Sequence, residues 1–212
     1  MATTPSSRRS QAERSAATRE ALLDATLECL VEVGYANTTT ARVAERAGLS
    51  RGAHLHHFQT RDTLLAAAAD HLTRRRGEHL STAVDALPPS GPDRTAQGLD
   101  LIFDSYNNPL YQATLDLWTH GRTDEELRGH LIPIERQLDR QTVELSKRLF
   151  PDAAGRPDFE RLVELALAAI RGLVVLDTLH ADGARASKQW PACRDQLAAL
   201  FEASPPATPA VR

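Results

Sequence analysis

The chain of 212 residues has little of several residue types that dominate other protein classes. It has only two cysteines, Cys29 and Cys193, and they lack the spacing of a metal or redox site. Isolated cysteines are typical of a reducing compartment, which excludes a small disulfide-stapled domain and favours a cytoplasmic protein. The polar N-terminus also lacks the apolar run of a signal peptide.

Long uncharged apolar runs are absent as well. The most apolar segment, 162–179, is interrupted by Glu164, Arg171 and Asp177, so we expect no membrane span. Strand-like alternation is scarce, whereas Ala and Leu recur at helical spacing along most of the chain. The fold class is therefore predicted to be all-α, with about nine helices.

Motifs of the common catalytic classes are missing. The sequence contains no GxSxG, no HExxH and no phosphate-binding glycine loop. His54, His56 and His57 cluster, and the first and last can share a helix face, but no Cys, Asp or Glu nearby completes a tetrahedral metal site. We expect no catalytic residue, no metal and no cofactor.

Net charge is −3, which does not by itself indicate a nucleic-acid partner, but the charge is unevenly distributed. Residues 1–80 carry 11 basic and nine acidic residues, whereas residues 81–212 carry 14 basic and 19 acidic residues. The small basic excess lies in the part of the chain that also carries the clearest motif.

That motif is a helix-turn-helix pattern between Thr39 and Phe58. Thr39 is the predicted N-cap of a short amphipathic helix, and Gly48 follows that helix where a left-handed residue is needed. Ser50 then caps a second helix that runs to about His57. Its first residues, Arg51, Gly52 and Ala53, are short or flexible, so its backbone can approach the major groove while Arg51 reaches a base edge.

This segment resembles the DNA-binding domain of the TetR family of bacterial transcriptional repressors. The resemblance covers about residues 18–69 and includes Gly34-Tyr35, the threonines before the first motif helix, AERAGLS at 44–50, HHF at 56–58 and TRDTLL at 60–65. It implies operator DNA as a partner, a dimer and a small-molecule effector. The predicted DNA contacts are Thr39, Thr40, Ser50, Arg51, Gly52, Ala53, His56, His57 and Arg61, of which His57 and Arg61 are phosphate contacts.

Two residues depart from the family pattern. The family tends to have an aromatic residue, usually Tyr, where this chain has Leu55, and an aliphatic residue where it has His54. Because Leu55 cannot supply a hydroxyl to the DNA backbone, either a neighbouring histidine replaces that contact or the recognition helix sits differently.

The pattern of helices predicts four segments. Residues 1–10 form a disordered basic arm, which either follows DNA or is an inert tail, and residues 11–59 form the DNA-binding domain. Residues 60–203 form a helical ligand-binding and dimerisation domain, and residues 204–212 form a flexible tail. The predicted helices are 11–33, ended by Gly34, the two helices of the motif, 61–86, 93–106, 110–119, 124–150 with Pro133 kinking or splitting it, 158–182 and 191–202.

The predicted helix at 158–182 has two apolar stripes where a surface helix needs one. One stripe can face a second copy of the chain, giving a two-fold dimer built from the last two helices; the alternative is a central core helix in a monomer. The predicted dimer residues are Leu162, Leu165, Ala169, Leu173, Leu176, Trp190, Leu197, Leu200 and Phe201.

The middle helices hold an uneven share of the ten aromatic residues. Ligand pockets are mostly apolar and aromatic, so this cluster is the predicted pocket wall, although ordinary core packing would use the same residues. The predicted ligand-binding residues are Phe103, Tyr106, Tyr111, Trp118, His120 and Leu176.

Two functions remain on the sequence alone. The first is a homodimeric, DNA-binding transcriptional regulator, by family default a repressor that a small molecule releases from its operator. The second is a helical enzyme or small-molecule-binding protein in which the helix-turn-helix is only structural. The capped helix with Arg51 near its start favours the first.

Overall fold

The structure, a computed structural model, describes residues 11–50, 56–91, 93–178 and 184–203. Within these ranges it has eight helices and no strand, which confirms the all-α class. The helices are α1 (Gln11–Asn37), α2 (Thr40–Arg46), α3 (Arg61–Asp85), α4 (Arg94–Tyr106), α5 (Pro109–Gly121), α6 (Glu125–Leu149), α7 (Phe159–Asp177) and α8 (Arg185–Glu202).

The end of α1 differs from the prediction. Gly34 interrupts the helix with a left-handed φ of 73°, as a glycine can, but helical turns resume beyond it and continue to Asn37. The Thr38 hydroxyl donates to the Gly34 carbonyl (2.8 Å), which closes the turn that leads into α2.

Helix α2 begins and ends as its sequence predicts. The Thr39 hydroxyl accepts a hydrogen bond from the Arg42 N–H (3.2 Å), which makes it the N-cap. Gly48 has a φ of 68°, and the N–H of Leu49 donates to the carbonyl of Ala44 (2.9 Å). This is the Schellman arrangement, which turns the chain sharply after the helix.

Helix α3 links the two halves of the chain. It begins with a capping box between Thr60 and Thr63 and runs for 25 residues. At about 1.5 Å per residue it is roughly 38 Å long, so its two ends serve different parts of the molecule. Near its middle, Asp24 of α1 accepts from Arg75 Nη1 (2.7 Å) and lies 3.0 Å from Nε2 of the buried His71.

Three later helices differ from the prediction. Helix α6 is one helix across the exposed Pro133, so the prediction that this residue could split it is wrong. Helix α8 starts at Arg185, earlier than the predicted start at Pro191, which lies inside it. Helix α7 ends at Asp177, and the rest of its predicted span, 179–182, lies outside the described residues together with the predicted arm and tail.

Two hydrophobic clusters form the core. The first joins α4, α7 and α8 with the end of α6. The second joins α1, α2 and the first half of α3, and it includes Ala113 and Leu117 of α5 and Leu127 and Leu131 of α6. The helix-turn-helix segment therefore shares its core with α5 and α6. No helix among the described residues is long and apolar enough to cross a membrane.

Candidate nucleic-acid interface and ligand cavity

The helix-turn-helix segment is held against α1 by its buried face and by one ion-pair cluster. Val43 and Ala44 are the buried residues of α2, and Arg46 of the same helix forms ion pairs with Glu28 (3.1 Å) and Glu32 of α1. This arrangement leaves the opposite face of α2 and its N-cap residue Thr39 exposed.

Several predicted DNA contacts lie among the described residues. Ser50 and His56 are exposed, whereas Thr40 and His57 are half-buried. The remaining predicted residues of the recognition helix, Arg51, Gly52 and Ala53, lie outside the described residues, as do His54 and Leu55.

Arg61 is used differently from the prediction that it contacts phosphate. Its Nε donates to the carbonyl of Thr38 (2.8 Å) and its Nη2 donates to the carbonyl of Tyr35. Its guanidinium carbon also lies 4.2 Å from the centre of the Tyr35 ring. Arg61 therefore fastens the start of α3 to the turn before α2, and its donors on that side are occupied by the protein itself.

The Tyr35 ring continues this contact into the second half of the molecule. It stacks on the imidazole of His120 at the end of α5, with ring centroids 4.0 Å apart. The sequence prediction assigned His120 to the pocket, but the structure turns this exposed side chain toward the helix-turn-helix segment instead. An Asp116 carbonyl 2.7 Å from Nδ1 fixes the ring.

The larger cavity is a cleft of about 990 Å³, here called the α3–α6 cleft, between the second half of α3 and the second half of α6. Ile102 and Tyr106 of α4 and Leu167 of α7 form its floor. The basic residues in its lining outnumber the acidic ones: Arg74, Arg76, Arg140, Lys147 and Arg148 against Glu78 and Glu144.

A second cavity of about 490 Å³, here called the α3–α5 cleft, lies between α3, α4 and α5. Tyr111, Thr114 and Trp118 of α5 line one side of it. The two clefts adjoin, because Thr73, Arg76, Leu80 and Leu138 line both.

An aromatic ladder runs along these clefts. The ring of Tyr106 meets that of Tyr111 edge-on at 4.6 Å, and Tyr111 meets Trp118 in the same way at 6.3 Å. The structure thus brings together three of the six predicted ligand-binding residues at the clefts. Phe103 lies elsewhere in the core, stacked on Trp190 at 4.4 Å, and Leu176 is exposed on α7.

Tyr111 is the most unusual polar group in the clefts. Its side chain is buried, and its hydroxyl has no hydrogen-bond partner among the described residues. Burial raises the pKa of Tyr111 to about 12, although the charges of Arg171 and Arg76 act in the opposite direction. The phenol is therefore a protonated donor at neutral pH.

Sequence reasoning missed Arg76. Its guanidinium carbon lies 4.4 Å from the centre of the Tyr106 ring and 6.0 Å from that of Tyr111. The only signal in the sequence was its position in the Arg74-Arg75-Arg76 run of α3, which does not tell which of the three faces inward.

The predicted dimer residues fall into two groups. Four of them, Leu162, Trp190, Leu197 and Phe201, are buried in the core of the chain itself, so they can support an interface only from beneath. Leu165, Leu176 and Leu200 are exposed by 41–48%, and Ala169 and Leu173 are half-buried. On α7 the exposed residues share one face with Ala168, Gly172 and Val175, opposite the buried Val163, Leu167, Ile170 and Val174.

Comparison with known proteins agrees with this architecture. The family model described as bacterial regulatory proteins, tetR family, matches residues 22–68. The chain is 32% identical over 182 residues to the HTH-type transcriptional regulator CymR of Pseudomonas putida, with 84% of this chain and 88% of CymR covered.

Solved structures show the same fold. A TetR transcription regulator from Haloarcula marismortui superposes with a TM-score of 0.67 at 21% identity, covering 88% of this chain and 96% of that one. The transcriptional regulator FadR from Bacillus subtilis, solved in complex with stearoyl-CoA, superposes with a TM-score of 0.64 at 14% identity, covering 86% and 96%. This chain belongs to the TetR family of bacterial regulatory proteins and is a DNA-binding transcriptional regulator.

Proposed function

We propose that the protein is a homodimeric repressor that a small molecule releases from its operator. The observation that carries this proposal is the shared use of α3. Its first residue, Arg61, holds the turn before α2, and its second half, from Thr73 to Thr82, lines both clefts. A molecule that changes the tilt of α3 on entering a cleft would therefore move the DNA-reading segment.

Helix α5 offers a second connection in the same direction. Tyr111 and Trp118 line the α3–α5 cleft, and His120 on the same helix stacks on Tyr35. Both connections act through rigid helices, so a ligand need only bind one arrangement better than the other to shift the population.

The proposed dimer uses the exposed apolar face of α7 together with α8. Leu165, Val175, Leu176 and Leu200 are the main exposed side chains there, and Gly172 lets a partner helix approach closely. A face of this kind is costly to leave in water. In a two-fold dimer this face of α7 would be covered by the partner subunit. The two helix-turn-helix segments would then contact successive turns of DNA.

The proposed DNA contacts are Thr39, Thr40, Ser50, Arg51, Gly52, Ala53, His56 and His57. Arg61 is proposed to position the motif rather than to contact phosphate, because both of its observed hydrogen bonds go to the carbonyls of Thr38 and Tyr35. We propose the division between residues 59 and 60 as a boundary between the DNA-binding and the ligand-binding functions. It is not a boundary in the packing, because the second hydrophobic cluster runs across it.

A direct test is a gel-shift titration with DNA from the chain's own upstream region. We expect sequence-specific binding that weakens as salt rises, because the protein displaces counterions from the phosphates. A reporter gene placed behind this DNA in a bacterial strain tests repression. Deletion of the regulator should raise reporter expression. Lower expression after deletion would contradict the repressor role.

A further inference from the structure

Arg76 and Tyr111 stand at the junction of the two clefts, and both have unused hydrogen-bonding capacity. Within the described part of the chain, Arg76 has no carboxylate within salt-bridge distance, and its guanidinium lies near the rings of Tyr106 and Tyr111. The neighbouring arginines differ: Arg74 pairs with Asp70 (3.2 Å) and Arg75 pairs with Asp24 (2.7 Å).

The buried Tyr111 hydroxyl has no hydrogen-bond partner among the residues that the structure describes. Leaving a buried hydroxyl without a partner costs roughly 1–3 kcal/mol in a folded protein, so such a group calls for an explanation. A ligand atom that accepts a hydrogen bond would supply one. Ser146 of α6, whose hydroxyl is likewise buried and unpartnered, offers a further donor in the α3–α6 cleft.

The charges around the clefts favour an anion. The acidic lining residues Glu78, Glu144 and Asp104 are exposed, and Lys147 already neutralises Glu144 (2.8 Å). Arg76 is half-buried and close to the aromatic ladder, where a charge acts with less solvent screening. A cationic ligand would meet this guanidinium without a counter-charge beside it.

Apolar side chains make up a large part of the remaining lining of the α3–α5 cleft. Leu72, Leu80, Leu101, Leu138 and Trp118 surround the α3–α5 cleft, whose volume of about 490 Å³ suits a small organic molecule. The site therefore combines an apolar body with one cationic and one hydroxyl donor at its junction with the larger cleft.

We propose that the effector is a small amphipathic carboxylate, held by a charge-assisted hydrogen bond from Arg76 and by the Tyr111 hydroxyl, with its apolar part against the Tyr106–Tyr111–Trp118 ladder. A guanidinium presents two parallel N–H groups to a carboxylate, which explains the choice of arginine at this position. This proposal rests on the proposed function, since it names the effector class of that regulator.

Isothermal titration of the full chain with octanoate and 1-naphthoate tests the proposal, with octanamide and 1-naphthamide as neutral counterparts of the same shape. We expect at least one acid to bind at least tenfold more tightly than its amide. Equal binding of acid and amide, or no binding of either acid at millimolar concentration, would overturn the assignment.

Variants locate the interaction. Arg76→Gln and Tyr111→Phe should each weaken binding of the acid by about tenfold or more, while Arg76→Lys should retain part of the affinity. Arg136→Gln is the matched control, because Arg136 is exposed on α6 and lines neither cleft. Unchanged acid binding in Arg76→Gln and Tyr111→Phe would contradict the proposal.

Measuring binding without DNA separates this proposal from the proposed function. If the acid binds through Arg76 but operator affinity does not change, the anion site stands and ligand-released repression fails. If a neutral or cationic compound releases the operator and the acids do not bind, the repressor proposal stands and the carboxylate assignment fails.

Discussion

The imidazole of His120 stacks on the ring of Tyr35 at 4.0 Å, so the last turn of α5 rests directly on the residue that precedes the helix-turn-helix segment. Tyr35 is in turn covered by Arg61 from α3. Two of the helices that line the α3–α5 cleft, α3 and α5, thus meet at one aromatic side chain, which gives the clefts a physical path to the DNA-reading segment.

The stacking contact between Tyr35 and His120 can be removed without changing any residue that lines either cleft. His120→Ala should lower the free energy of unfolding by about 1 kcal/mol, the usual value of an aromatic pair, and should reduce the effect of a bound ligand on operator affinity. Thermal unfolding and DNA titration with and without ligand measure the two effects. Thr119→Ala, at the exposed neighbouring position, is the control and should leave the ligand effect intact; an equal loss in both variants would contradict the role of the stack.

Arg61 should behave as a structural residue. Arg61→Ala removes two charge-assisted hydrogen bonds to backbone carbonyls, so we expect the free energy of unfolding to fall by about 2 kcal/mol. Binding to all DNA sequences should weaken, because the motif loses its support. Urea unfolding decides between this role and a phosphate contact: unchanged stability combined with a shallower salt dependence of DNA binding would favour the phosphate contact.

The exposed face of α7 should be required for dimer formation. The double substitution Leu165→Glu and Leu176→Glu places two carboxylates on a face that we expect to be buried, and sedimentation at micromolar concentration should then show a monomer. Val31→Glu is the control, since Val31 is equally exposed (43%) but lies on α1. A wild-type protein that sediments as a monomer would refute the dimer itself.

Tyr111 should titrate unusually late. Because its pKa is raised to about 12, the folded state disfavours the phenolate, and the stability associated with the neutral phenol is complete below pH 10. That stability should decrease as pH rises from 10 to 12. Ultraviolet titration of the wild type should show a late tyrosine step, and this step should be missing in Tyr111→Phe.

Much of the fold follows from local signals in the sequence. The N-cap Thr39, the left-handed Gly48 and the helix start after Thr60 depend on residues within four positions, and each is found where it was predicted. Pro109, predicted to separate two helices, is instead the first residue of α5. Signals of this kind need no knowledge of the rest of the molecule.

The remaining features depend on contacts between distant segments. Helix α8 includes Pro191, and Trp190 beside it stacks on Phe103 and donates to Asp100 Oδ1 (2.7 Å), neither of which its own sequence indicates. Spacing alone also gave no reason to separate His120 from the aromatic residues of the clefts. The sequence alone did not tell which of the two apolar stripes of α7 is buried in the chain. That depends on how α4 and α8 pack against this helix.

The central claim is that a dimer reads DNA through two copies of the helix-turn-helix segment. Selection of binding sites from a random DNA pool tests it most directly, since it requires no knowledge of the operator. We expect enrichment of a two-fold symmetric sequence whose half-sites are about 10 base pairs, or one helical turn, apart from centre to centre or a multiple of that spacing, and a relaxed preference at one position of each half-site with Arg51→Ala. A pool that remains random after repeated selection, or a single half-site without symmetry, would contradict the account.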